Sequence, residues 1–448
     1  VRRAGLAASA AAIALALAAL LGPGCRRPRA DSALLVVVDT LRADHLGAYG
    51  SEREASPAFD AWAAEGRLFE RAWATSPWTL PSVASILTGL EPARHAAGRP
   101  MPDAGKRTFT ALGDGASTLA EWLTAEGWRT AAIINNPFLH EKFGVARGFE
   151  SWDYQAASRT RGRRADEAVD AALEWLDGVG DRPWLLVLHL FDPHLAYDAP
   201  EPFLGRFTDG APPAARRRPL SWLRHRVKKE GGGPLLGALG GAYDEEILFV
   251  DSQLSRLRRG LAERGLADRT LVVLTADHGE ELGEHGGFEH GHSVHEEVLR
   301  VPLVLVGPGI EPGRSAAPVS LVDIVPTVLA ALGVEAPGGL PGTSLLGEPP
   351  ASRTLVAERV LYGRENKAAV RWPWKAIFTP GADDEVALFD LEADPGERQD
   401  LARVRPEVAA RLKELLQALE RAGAQADGGA AALDPETERE LRSLGYID

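Results

Sequence analysis

The chain has 448 residues, 45% hydrophobic and 25% charged, enough for one large α/β domain with a smaller one attached. Its formal charge of -13 at pH 7 excludes the basic face with which a general nucleic-acid binder neutralises phosphates, so no nucleic-acid partner is expected. A single cysteine, Cys25, excludes a disulfide framework, a thiolate zinc site and an iron–sulfur cluster.

At the start, Arg2 and Arg3 precede an apolar run over 4–21 and small residues before Cys25, the pattern of an export segment over 1–25. Three readings stay open: a lipoprotein-type signal with Cys25 lipidated, a cleaved signal, and an uncleaved anchor, since the run is just long enough to span a bilayer. All three place the remainder outside the cytoplasm, and two of them hold it at a membrane of the cell envelope. Continuous apolar runs at 33–39, 130–136, 184–192, 270–278 and 301–307 predict buried parallel strands. Helix-period segments at 165–178 and 243–265 lie between them. The expected fold class is therefore α/β, with a large, mostly parallel sheet sandwiched by helices over 32–345. A Gly/Pro-rich stretch at 335–350 marks a boundary. Beyond it "RTLVAERV", "AAVRWPWKAIFT" and "EVALFDLE" read as strands and 405–421 as a helix, giving a small C-terminal α+β subdomain over 346–421 and an Ala/Gly-rich tail over 422–448.

In "TSPWTLPSVASILTGLEPARH" (75–95), Pro81 is suited to a first helical position and predicts a helix start there, with Thr79 just outside the first turn. The unsatisfied N–H groups of a helix start favour an anion, or a hydroxyl being turned into one. Thr79 is thus either a helix cap or a nucleophile. Three apolar strands end in metal-competent or proton-transfer residues: Asp39, then Asp192 with His194, then Asp277 with His278. Ligands of open α/β sheets bind at the carboxyl ends of strands, so these side chains can meet in one crevice, although an Asp after a strand is also a common turn former. "ADHGEELGEHGGFEHGHSVHEEVLRVP" (276–302) holds five of the eleven histidines and is a candidate metal or oxyanion site. The basic segment 215–234 is either a solvated surface loop or a flap near an anionic substrate or membrane surface.

These residues carry a resemblance. "VVVDTLRADHLGAYG", "WTLPSVASILTGLEPARH", "HLFDPHLAYDAP", "TADHGEELGEHGG", "HGHSVHEEVLRVP" and "LFDLEADPGERQDLA" resemble the sulfatase family within the alkaline-phosphatase superfamily, over about 33–448. The resemblance implies a divalent metal held by Asp39, Thr79, Asp277 and His278. It also implies that His194 contacts the substrate oxyanion and that His290 occupies a position usually held by Lys or His, each against the plainer reading of a structural histidine. A cationic His194 or His290 can stabilise developing charge or protonate a leaving group. Asn135 and Asn136 are candidate oxyanion donors, and His285 with His292 can complete a second metal site.

The chain departs from the family pattern where the chemistry is decided. Family sulfatases oxidise a Cys or Ser in C-x-P-x-R to formylglycine, whereas this motif reads Thr79-Leu80-Pro81-Ser82-Val83. Threonine cannot form that aldehyde. Thr40 stands where a second Asp is usual, and "IINNPFLHEKFG" replaces a Lys-x-His element. What remains resembles the threonine branch of the superfamily, in which an alkoxide attacks phosphorus. A mixed set of carboxylates, imidazole and alkoxide suits Zn or Mn, with Ca as the third possibility. The leading expectation is a metal-dependent phosphodiester or phosphonate hydrolase, or a phosphoryl transferase, with Thr79 as nucleophile. The alternatives are a sulfuric-ester hydrolase using Thr79 or water directly, and a non-catalytic member that binds anionic ligands.

Overall fold

The computed structural model describes residues 29–103, 106–155, 162–208, 220–230, 233–381, 385–423, 428–431 and 433–444. The expected export segment and Cys25 lie outside them. In chain order the strands are β1 (Ser32–Val38), β2 (Arg67–Trp73), β3 (Pro100–Asp103), β4 (Lys106–Thr110), β5 (Arg129–Ile134), β6 (Ser151–Tyr154), β7 (Trp184–Leu190) and β8 (Thr270–Ala276). They continue with β9 (Arg300–Val301), β10 (Leu303–Val306), β11 (Gly313–Ser320), β12 (Leu355–Ala357), β13 (Lys367–Arg371), β14 (Trp374–Thr379), β15 (Glu385–Asp390) and β16 (Ala430–Ala431).

The main sheet runs β11-β2-β10-β8-β1-β7-β5-β6, with β9 paired to β2. β1 lies between β7 and β8 and is parallel to both, and every residue of these three strands is buried. That is the environment in which a strand can be apolar on both faces without alternation. β10 is antiparallel to β8 and β2, so the sheet is mixed but mostly parallel. Helices Pro57–Glu65, Ala165–Asp177 and Gly233–Glu263 pack together and against the sheet.

The expected helix over 243–265 starts ten residues earlier, at Gly233. Its glycine-rich first half allows close approach, because a Cβ on Gly241 would lie 2.5 Å from the Phe207 carbonyl oxygen. "AAVRWPWKAIFT" is two strands, β13 and β14, that turn at Trp372-Pro373.

The C-terminal sheet, β12-β13-β14-β15, alternates its side chains between two apolar groups. Ala368, Val370 and Ile377 join the main core, while Ala369, Ala376 and Phe378 pack under Leu412 and Leu416 of helix Pro406–Gly423. The period of two along each strand places successive residues on opposite faces. A third sheet, β16-β4-β3, is antiparallel. Among the described residues no helix is long and apolar enough to cross a membrane.

Candidate active site

Parallel pairing aligns Val38 of β1 with Ala276 of β8, so the next residues, Asp39 and Asp277, leave the sheet side by side. His278 follows. Asp39, Asp277 and His278 are fully buried, and one ligand atom from each lies within 4.8 Å of the others. His278 Nε2 is 3.6 Å from Asp39 Oδ1 and 3.5 Å from Asp277 Oδ2. Its Nδ1 sits 2.9 Å from the Gly279 carbonyl oxygen and donates to it, so Nε2 presents a lone pair to the carboxylates. Fixing the remote nitrogen on a backbone carbonyl is how ligating histidines are oriented. Asp39 Oδ1 and Asp277 Oδ2 are buried with no hydrogen-bond partner. Burial, and then the neighbouring Asp277, pushes the Asp39 carboxyl well above the usual range. Two adjacent buried carboxylates with orphaned oxygens and an aimed imidazole fit a divalent cation.

The helix carrying Thr79 spans Thr79–Thr88, two residues earlier than Pro81 implied. Pro81 still sits in the first turn, where its missing N–H leaves no intrahelical bond unmade. No side chain caps this helix start. The Thr79 hydroxyl instead lies 3.3 Å from His278 Nε2 and 3.2 Å from Asn136 Nδ2, which also donates to Asp39 Oδ2 at 2.7 Å. Ser82 Oγ donates to the Asp277 carbonyl at 2.6 Å and ties the helix to the ligand loop. His95 holds the helix from the other side, with Nε2 at 3.1 Å from both Ser85 Oγ and the Pro81 carbonyl oxygen, and Nδ1 accepting from Ala97 N.

Burial, and then Arg359 nearby, lowers His95 from an ordinary 6.5 to about 3. Between those values the unfolded chain binds a proton that the folded chain refuses. Stability from this group is therefore complete above pH 6.5 and falls on acidification, by about 1 kcal/mol per pH unit. His95→Asn is expected to flatten the decline of unfolding free energy between about pH 7 and pH 5. An unchanged slope in denaturant titrations at those pH values contradicts it.

The remaining candidates divide. The His290 ring lies 4.4 Å from that of His278 and 5.0 Å from that of His194, centroid to centroid, so all three share the crevice. His194 stacks on Phe191 at 4.5 Å, with Nδ1 2.8 Å from the Leu195 carbonyl oxygen. His290 Nδ1 is 2.8 Å from Glu280 Oε1. Burial, ahead of the neighbouring His278 and His194, holds His290 well below the ordinary histidine range, while burial and Glu289 push Glu280 up. Burial thus disfavours the charged form of each partner in this contact.

Asn135 donates to the His189 carbonyl, and only Asn136 reaches Thr79. Asp192 turns away to accept the Ala165 N–H at 2.9 Å, at the start of helix Ala165–Asp177. His285 and His292 stand apart from this centre, against Glu297 and Glu281. From the basic segment, helix Leu220–Glu230 brings Arg224 Nε to 2.6 Å from Glu289 Oε2, next to His290.

Three residues were missed by sequence reasoning. His189, in β7, lies behind the ligands with Nε2 3.6 Å from Asp39 Oδ2. Glu280 accepts from Tyr197 Oη at 3.2 Å as well as engaging His290. Tyr243 donates to the Thr40 carbonyl at 2.6 Å and holds Thr40 at a φ of 58°. A histidine inside an otherwise apolar strand was a visible signal; the other two required the fold.

The Sulfatase family model matches residues 32–334. The chain is 29% identical to the steryl-sulfatase of Mus musculus over 541 aligned residues, covering 93% of this chain and 85% of that protein. It is 25% identical to an N-acetylglucosamine-6-O-sulfatase of Bacteroides thetaiotaomicron, covering 91% and 88%. Its fold superposes on the phosphonate monoester hydrolase of Agrobacterium radiobacter with a TM-score of 0.69 at 23% identity, covering 91% of this chain and 100% of that one. The family match takes in every strand end that supplies a candidate ligand, and the chain therefore belongs to the sulfatase family, metal-dependent ester hydrolases of the alkaline-phosphatase superfamily.

Proposed function

We propose that this member cleaves a phosphodiester or phosphonate ester, with Thr79 as nucleophile, and delivers the phosphorus group to water or to an acceptor alcohol. The observation that carries the reading is the Thr79 hydroxyl facing His278 and Asn136 beside two orphaned carboxylate oxygens, instead of capping its helix. Asp39, Thr79, Asp277 and His278 would hold the divalent cation, Zn or Mn by their mixed O/N donors. When bound, the cation supplies Lewis-acid chemistry, lowering the pKa of the threonine hydroxyl and offsetting charge on the ester oxygens.

Thr79 Oγ1 releases its proton to solvent and forms a bond to phosphorus as the bond to the leaving oxygen breaks, and the leaving oxygen takes up a proton. Asn136, donating to both Thr79 and Asp39, orients the hydroxyl and supports it as an anion. His290, fixed by Glu280, and His194 stand where a leaving group can be protonated or its charge held. Water or an alcohol then attacks phosphorus, the P–Oγ1 bond breaks, and the hydroxyl of Thr79 is restored. Arg224 pairs with Glu289 and so braces the residue that precedes His290. The pattern over 1–25 supports export and retention at a membrane through Cys25 or an anchor.

The sulfatase names among the relatives favour a second reading, a sulfuric-ester hydrolase. Chemistry weighs against it: a formylglycine hydrate expels sulfate by collapsing to its aldehyde, whereas a sulfated threonine has no such exit. Aryl phosphodiester or phosphonate turnover is therefore expected to exceed aryl sulfate turnover by more than tenfold, over about 1.4 kcal/mol of barrier. Steady-state kcat/KM on matched nitrophenyl esters, with Zn or Mn supplied, measures this. A preference for the sulfate overturns the phosphorus reading.

A further inference from the structure

The segment between β8 and β9 carries a second group of histidines and carboxylates that the proposed reaction does not use. Glu280 and Glu281 are neighbours on a paired stretch, where Glu280 N bonds the Glu297 carbonyl at 3.0 Å and Glu281 N bonds the Glu289 carbonyl at 3.0 Å. Adjacent residues on extended backbone face opposite ways. Glu280 accordingly engages His290 in the crevice, while Glu281 engages His292, with Nε2 2.7 Å from Oε2. Glu281, His285 and Glu297 each place a ligand atom within 4.8 Å of the others, and both carboxylates are buried.

The imidazole orientations are the informative part. His285 Nε2 lies 3.4 Å from the Glu397 carbonyl oxygen, and its Nδ1 lies 2.7 Å from Glu297 Oε1. His292 Nδ1 lies 3.4 Å from the His290 carbonyl oxygen, and its Nε2 faces Glu281. A nitrogen on a carbonyl must carry hydrogen, so the other nitrogen of each neutral ring aims a lone pair at a carboxylate. Two lone pairs opposed at that range require a cation between them, either one proton in each pair or one divalent ion for both. Either cation balances the two carboxylates, and with no ion present Glu297 raises His285 to about 9 and Glu281, against burial, raises His292, so each pair then holds a proton that a divalent ion would displace. Remote nitrogens on backbone carbonyls are also the arrangement that orients metal-ligating histidines, as at His278. Gly287 keeps room at the donors, since a Cβ there would lie 2.3 Å from His292 Nε2 and 2.5 Å from Glu281 Oε2.

We propose that Glu281, His285, His292 and Glu297 form a second, structural divalent-metal site. Two imidazoles and two carboxylates are a zinc donor set. Zinc bonds of about 2.0–2.2 Å in a tetrahedron ask the paired donors to separate by roughly half an ångström or slightly more, and His292 to move in toward the close group of Glu281, His285 and Glu297. The overlapping group of His285, His295 and Glu397 does not suit an ion. Its two rings stack at 3.7 Å and 8°, so their in-plane lone pairs run parallel, and Lys375 Nζ already neutralises Glu397 at 2.9 Å. An ion on the chosen four would clamp residue 281 to residue 297 and so brace the intervening turn that presents His290. The site is independent of Thr79 chemistry.

The test is zinc stoichiometry of the full chain after chelator treatment, by equilibrium dialysis, in an Asp39→Asn/Asp277→Asn background that removes both carboxylates of the first centre. That background is expected to bind one equivalent of zinc and to melt at a higher temperature with zinc than without. Adding His285→Gln, or Glu297→Gln where the first variant does not fold, is expected to abolish both effects. A background protein that binds no zinc, or an equivalent that survives the added substitution, overturns the proposal.

Discussion

Thr79→Ala is expected to lower kcat/KM by at least about 10³-fold, some 4 kcal/mol of transition-state stabilisation, while leaving the fold intact. The substitution removes the attacking oxygen and nothing that supports the helix, because the hydroxyl contacts Asn136 and His278 and caps no backbone N–H. The melting temperature is expected to move by less than about 1 °C, the equivalent of roughly 1 kcal/mol in a chain of this size. Thr79→Ser, which keeps the hydroxyl on a less restricted side chain, is expected to retain measurable turnover. A structural role alone would give the opposite pattern, with alanine active and less stable. Steady-state kinetics and thermal melts on the three proteins distinguish the two.

The second large effect concerns the ligands. Asp277→Asn or His278→Ala is expected to weaken metal binding at the first centre by at least about 100-fold, since each removes a donor from a site that presents only a few. Asp277 Oδ1 also accepts from His278 N at 2.9 Å and Thr40 N at 3.3 Å. The amide oxygen of asparagine can accept both of these bonds, so the loss falls on the orphaned Oδ2. Competition of zinc against a chromophoric chelator measures the change. Undiminished affinity in both variants would mean that the ion sits elsewhere.

Much of this centre was legible in the sequence because its strands are buried on both faces. β1, β7 and β8 are continuous apolar runs, and the residues that end such runs point to the rim where ligands bind, which locates Asp39, Asp277 and His278. β2, β6 and β11 were not legible. β6 and β11 form the two ends of the main sheet; β2 and β11 mix buried with half-buried or exposed positions and β6 has no buried position, so neither an apolar run nor a clean alternation announces them. Asp192 shows the limit of reading strand ends: it follows a buried strand as Asp39 does, yet it spends its carboxylate on a helix start. Nothing local separates the two. The partners that distinguish them, Ala165 and Asp277, are remote in sequence. Glu280 and Tyr243 were hidden for the same reason, since their roles depend on contacts formed only once the loops converge.

The central claim, that Thr79 becomes covalently bonded to phosphorus during turnover, is tested most directly by stereochemistry. Each in-line displacement inverts phosphorus, so two successive displacements through Thr79 retain configuration and a single attack by water inverts it. A nitrophenyl phosphorothioate diester of known configuration, hydrolysed in ¹⁸O-labelled water, reads this in the product. Retention is the predicted result, and inversion would contradict the account.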